Sequence, residues 1–309
     1  MRLFAVAQTW LVVVTGLAGD PARRATLEQH AGHLVAAART RLGVDPQHIV
    51  QLGEGTTPAA GAEQIRRTLA DVASRAEPNA LVVVALMGHG SALGGEPRFN
   101  LSGPDLTAAA FARALEPLRT QEVVVVVATS ASGPWTAALA GPRRAVITAT
   151  RSAIERDETV FARYLVEAVA GEGGDADRNG RLSVRELFEY ARQGVDRHYR
   201  ELRRLRTEHA LLDDNGDGRG SLAASDSGDG SRAATLYLNG APDAAGADAA
   251  LAPLFARRDS LERAVAALRA RRAALDSAAY ERELERLLLD LAQVGRTIRE
   301  RRGTGGTNP

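Results

Sequence analysis

The residues best able to do chemistry stand in two short loops. One reads Met87-Gly88-His89-Gly90-Ser91 and the other Ala128-Thr129-Ser130-Ala131-Ser132-Gly133. Each follows an apolar run. A histidine and a serine brought together could perform nucleophilic attack, the imidazole taking the hydroxyl proton as the oxygen adds to a carbonyl. Each loop alone also has a plain structural reading. A histidine after a strand can simply pack, and small residues let the chain turn.

The acidic segments carry a second chemistry. Asp175, Asp177, Asn179, Ser183 and Glu186 fall at positions 1, 3, 5, 9 and 12 of an EF-hand-type loop. The Arg181 carbonyl stands at position 7 and Gly180 at the sharp turn of position 6. Oxygen donors at this spacing suit calcium, a hard cation. The other reading is an Asp-Gly-rich surface turn. Asp213, Asn215 and Asp217 open the same pattern, but position 12 is Ala224, for which Asp226 or Asp229 could substitute. Calcium is the expected cofactor, in a structural role, since nothing places it beside Ser130.

These loops need elements to hold them. Strands are predicted at Trp10–Thr15, His48–Leu52, Leu81–Met87, Glu122–Ala128 and Ala145–Thr150, because runs such as VVVVVA lack polar alternation and fit burial on both faces. Helical patterns lie at Ala22–Leu42, Ala60–Arg75, Leu106–Leu118, Thr159–Ala170 and Ser183–Arg203, with a short edge strand at Ala234–Leu238. The alternation predicts an α/β fold, a mostly parallel sheet flanked by helices. Ligands of such sheets bind beyond the strand carboxyl ends, where both loops fall.

Residues 1–240 read as one domain, with calcium-binding loops at 175–186 and 213–229. Residues 241–250 read as a linker and 303–309 as a disordered tail. Between them, 251–302 reads as an antiparallel helical hairpin of coiled-coil type. Tyr280, Leu284, Leu287, Leu291, Val294 and Ile298 form a heptad seam, Leu254, Leu261, Val265, Leu268 and Leu275 lie in compatible phase, and Asp276-Ser277 supplies the turn.

Composition excludes several chemistries. The 309 residues include no cysteine and no lysine. Disulfides, thiolate nucleophiles, Cys-ligated zinc, Schiff-base lysines and P-loop lysines are therefore absent. A net charge of +1 gives no global field for nucleic acid, so no nucleic-acid partner is expected. No apolar run is long enough to span a bilayer. The start, MRLFAVAQTWLVVVTGLAGD, reads as a buried first strand, not a signal peptide. Calcium loops fit an extracytoplasmic setting. His30 and His33 read as a solvated helix face, and His198 and His209 as flanks of an exposed basic helix. Trp10 reads as packing, and Trp135 as packing or as a wall of the cleft.

Taken together and in this order, His89-Gly90-Ser91 and Ser130-Ala131-Ser132-Gly133 resemble the caspase-like clan of cysteine peptidases, and its legumain type in particular, in a bacterial-looking form. The segment VITATRSAIERDE is similar to the legumain segment that shapes the substrate pocket. The resemblance spans about residues 10–200. It implies a caspase-like fold, with His89 at the catalytic imidazole, Ser130 in place of the nucleophilic cysteine, and the Gly90 and Ser130 amides as an oxyanion hole. A thiol ionises near pH ~8.5 and attacks partly preformed, whereas a serine needs a base hydrogen-bonded to it. The acidic residue expected two places before the nucleophile is Ala128 here. The expectation is a catalytically impaired peptidase homologue, a calcium-stabilised binding or scaffold module. It would hold a peptide or protein in the cleft, or associate with itself or a partner through the hairpin. The alternatives are an active hydrolase using Ser130 with His89, and a Cys-to-Ser variant of a cysteine endopeptidase.

Overall fold

The computed structural model describes residues 8–239, 251–272 and 275–304. The expected linker lies outside these residues. So does the expected tail, except for Gly303 and Thr304, which belong to the last helix.

In chain order the elements are β1 (Thr9–Thr15), α1 (Pro21–Thr40), β2 (Ile49–Leu52), α2 (Ala62–Arg75) and β3 (Leu81–Gly88). The short strands β4 (Gly90–Ser91), β5 (Arg98–Phe99) and β6 (Leu106–Thr107) follow, then α3 (Ala108–Ala114), β7 (Glu122–Thr129), α4 (Trp135–Leu139) and β8 (Arg144–Thr148). The chain continues through α5 (Phe161–Ala170), α6 (Val184–Glu201), β9 (Leu211–Asp213), α7 (Ala252–Ala270) and α8 (Ser277–Thr304). Among the described residues, no helix is long and apolar enough to cross a membrane.

The main sheet has the order β2-β1-β3-β7-β8-β9. All its pairings are parallel except β8 with β9. The valine runs are buried on both faces because successive side chains point to opposite sides. Val13, Val83, Val124 and Val126 pack under α1, α5 and α6. Val12, Val82, Val125 and Val127 pack under α2, α3 and α4. The chain is thus a mostly parallel α/β sheet flanked by helices, as its sequence predicts.

Two expectations at the sheet edge change. Ala234–Leu238 forms no strand: it holds a 3₁₀ turn at Ala233–Thr235 and a single bridge from Tyr237 to Ser183. The edge strand is β9, at the start of the second acidic segment. Its outer edge is closed by Leu212 and Ser221, which exchange backbone hydrogen bonds of 3.0 and 2.8 Å.

The C-terminal helices pack antiparallel. Leu251 and Phe255 at the start of α7 meet Ile298 near the end of α8. Further along, Leu261 and Val265 meet Leu287, with Leu268, Leu284 and Leu291 around them.

Candidate functional site

Strand register brings the two loops together. Met87 pairs with Ala128 and Gly88 with Thr129, so His89 and Ser130 follow directly at the carboxyl ends of neighbouring strands. His89, Ser130 and Ala128 line one cavity of 390 Å³, walled by His30, Arg163, His198 and Tyr199. His89, Gly90 and Ser130 also line a second, of 470 Å³, with Asn100 and Arg156.

The hydrogen bonds show what the pair can do. The Ser130 hydroxyl donates to the Gly90 carbonyl at 3.0 Å and accepts from the Gly90 amide at 3.3 Å. Ser130 is 4 % exposed. His89 Nε2 lies 3.0 Å from the Ala18 carbonyl. A carbonyl only accepts, so Nε2 carries the hydrogen and the basic lone pair is on Nδ1. Among the described residues, His89 and Ser130 share no hydrogen bond. Gly90, one of the two implied oxyanion donors, spends its N–H on Ser130.

The Ser-Gly pair has a physical explanation. Ser132 and Gly133 amides both donate to Thr150 Oγ1, at 2.7 and 3.1 Å, and the Thr150 amide donates to Ser132 Oγ at 3.0 Å. This knot ties the serine loop to the segment after β8. A Cβ at Gly133 would stand 2.2 Å from the Arg151 carbonyl carbon, so the approach requires glycine. Ala131, at φ +52°, is in the left-handed region and is held by its amide bond of 2.8 Å to the Glu155 carbonyl.

Glu155 and Glu208 fix the cleft wall. Glu155 accepts from the Arg151 and His209 amides and meets His209 Nδ1 at 2.7 Å. Glu208 accepts the Val160 amide at the start of α5 at 2.9 Å. Burial, with Glu155 nearby, pushes the Glu208 carboxyl up to about 7. The histidines also move from their expected places. His209 is half-buried on Glu155 beyond the end of α6, while His198 packs against Tyr164 and Tyr199 in the cleft wall. His33 is exposed, but His30 faces the cavity, its imidazole pushed down by burial and by His33. Trp135 is fully buried against Phe111 and walls no cleft. Trp10 is buried as expected, stacked on His48.

The acidic loops lie away from this cleft. α5 begins and α6 ends at the cleft wall, so the loop joining the other ends of these helices is at the far end of both. There Asp175, Asp177 and Glu186 bring carboxylate oxygens within 4.8 Å of one another. Asp175 accepts the Asn179 and Gly180 amides, and Asn179 accepts the Arg181 amide. Ser183 and Glu186 form a reciprocal capping box that starts α6. Desolvation within the loop and the nearby Glu186 push Asp177 up to about 6.

In the second loop Asp213 accepts the Gly216 and Gly218 amides, Asn215 the Asp217 amide and Asp217 the Arg219 amide. Among the described residues no three acidic groups converge there as closely as in the first loop. Of the two expected substitutes for position 12, Asp226 is taken by Arg185 and Arg269. Asp229 is buried and accepts the Ser221 hydroxyl at 2.6 Å, the relation that Glu186 has to Ser183 in the first loop.

No family model matches the chain, and no curated protein does. Among solved structures it is similar to the Drosophila initiator caspase Dronc, at 15 % identity and a TM-score of 0.47, over 69 % of this chain and 81 % of that one. Similarity at this level carries no functional weight.

Proposed function

We propose that this protein is a legumain- or caspase-like peptidase homologue that binds a peptide or protein in its cleft and does not cut it. The observation that supports this is the closed hydrogen-bond pair of Ser130 and Gly90, with no hydrogen bond between Ser130 and His89 among the described residues. A serine hydroxyl attacks only as a base removes its proton, and here the proton is given to a carbonyl. Ala128 adds to the reading, since a methyl in the cavity can hold no substrate amide or carboxyl.

The test is hydrolysis of a mixed peptide library by the native chain, Ser130→Ala and Ser130→Cys, with and without calcium. The proposal expects a silent native chain. Native activity that Ser130→Ala removes would overturn it and favour the Ser-His hydrolase. Activity in Ser130→Cys alone would mean a competent cleft with an unsuitable nucleophile.

We further propose that calcium occupies the 175–186 loop and steadies the fold. Asp175, Asp177, the Asn179 side chain, the Arg181 carbonyl, Ser183 and Glu186 supply the all-oxygen donor set that calcium takes. Asp213, Asn215 and Asp217 would be a weaker second site, with Asp229 as its closing ligand. The α7–α8 pair would serve as a scaffold or partner-binding hairpin.

A further inference from the structure

The α7–α8 pair and the α/β body have separate apolar cores. Among the described residues, neither cluster of the pair contains a body residue, and the body's clusters contain none from the pair. Among the described residues, polar side chains join them. Tyr237 Oη donates to Glu262 Oε2 at 2.7 Å, and Arg258 Nη1 donates to the Asn179 carbonyl at 3.0 Å. The Arg181 guanidinium lies 3.6 Å from the centre of the Tyr237 ring and 4.0 Å from Glu262. Arg181 and Arg258 are 7 % and 6 % exposed, so these charges act with little screening by water. Arg269 with the half-exposed Asp226 is a further contact, a surface pair of small worth.

The knot is built on the 175–186 loop. Asn179 and Arg181 belong to that loop. Tyr237 is stitched to it by the Val184 amide on the Leu236 carbonyl at 2.8 Å and the Leu238 amide on the Leu182 carbonyl at 2.9 Å. A polar junction between two separately cored units leaves relative motion as the default unless its bonds hold. We propose that α7–α8 is an arm latched to the body through Arg181, Tyr237, Glu262 and Arg258, and that the shape of the 175–186 loop sets whether the latch is closed. The loop could then pass a change at its carboxylates to the arm, since Arg258 grips the backbone of one loop position and Arg181 extends from another.

The chain has no cysteine, so Arg119→Cys and Gln293→Cys, at exposed positions of body and arm, give one clean pair of spin labels. The distance between them is measured by pulsed electron resonance in the full chain. The expected result is a single narrow peak in the labelled parent, lost in Arg258→Ala/Glu262→Ala with helix content by circular dichroism retained. Should that variant lose helix content, Arg258→Met/Glu262→Met removes the same bonds while keeping side-chain bulk and helix propensity. A narrow peak surviving in this pair overturns the latch. Asp175→Ala removes the acceptor of two loop amides and is expected to broaden the peak; an unchanged peak overturns control by the loop. The calcium arm of the experiment rests on the calcium reading above, and binding is measured by titration calorimetry on the same protein. Calcium that binds and shifts the peak supports the coupling, and calcium that binds without a shift overturns it. No binding overturns the calcium reading instead, and Asp175→Ala still decides the coupling.

Discussion

Gly90 shows how closely the candidate site is packed. A methyl there would stand 2.3 Å from the Ser130 carbonyl oxygen and 2.5 Å from Thr129 Oγ1. Gly90→Ala is therefore expected to cost about 2–3 kcal/mol by overpacking. Gly32, inside α1 with nothing within 4 Å of its added Cβ, should instead gain about 0.5–1 kcal/mol as alanine. Urea unfolding of the two variants checks both signs, and equal shifts would contradict the packing argument. Glu208 makes a pH prediction at the same scale. Burial raises its carboxyl from 4.5 to about 7, so across that range the native state holds a proton that the unfolded chain has released. Stability must then fall as pH rises through that window, by on the order of 3 kcal/mol, with the full loss reached above about pH 7. Glu208→Gln cannot ionise and keeps an acceptor for Val160. Its stability relative to the native chain should rise from about pH 4.5 to about pH 7, the window those values define. Parallel pH profiles for the two proteins would place the titration elsewhere.

At the scale of elements, the start of α6 joins the acidic loop to the fold. Ser183 caps the helix and Glu186 returns the bond, so the last two positions of the calcium pattern are also a helix start. Ser183→Ala should cost about 1 kcal/mol by thermal unfolding without calcium. If the loop holds calcium, excess ion should raise the unfolding midpoint of the native chain. Asp175→Ala should abolish that rise while Asp213→Ala leaves most of it. A midpoint unmoved by calcium in the native chain would contradict the loop's proposed role. The elements differ in how legible they were. Valine runs and helical periodicity marked β1, β3, β7, α2 and α5 to within two residues of their observed bounds, because burial on two faces or one stripe writes itself into the sequence. The three-residue β9 could not be read in this way: Leu211–Asp213 is too short for a pattern, and Asp213 looked only like a ligand. The His89 and Ser130 loops were legible as a pair through their order and residue types. Their hydrogen-bond partners were not, since Ala18, Thr150 and Glu155 meet the site only through strand register and loop packing. His209 was misread for the same reason, as its partner Glu155 is 54 positions away.

At the scale of the molecule, stability should divide as the apolar contacts do. In the body, β1, β3 and β7 lie inside a sheet with helices on both faces, and Val12, Val84, Val125 and Val127 are wholly buried. The α7–α8 pair has small clusters of its own, and Leu288 and Leu289 on α8 remain 41 % and 64 % exposed. Local opening free energies follow buried contact density, from near zero in sparse regions up to the global value in core strands. Amide hydrogen exchange should therefore give two tiers. Peptides spanning 81–88 and 122–129 should exchange only by global unfolding. Those spanning 277–304 should exchange through opening of the pair alone, orders of magnitude sooner. Breaking the latch at Arg258 and Glu262 should speed exchange in α7 and leave the central strands unchanged, because among the described residues no apolar cluster crosses the junction. Equal protection of the strands and α8, or a speeding that spreads from the arm to the central strands when the latch is broken, would mean that body and arm unfold as one body. The latch would then be a surface detail of a single cooperative fold.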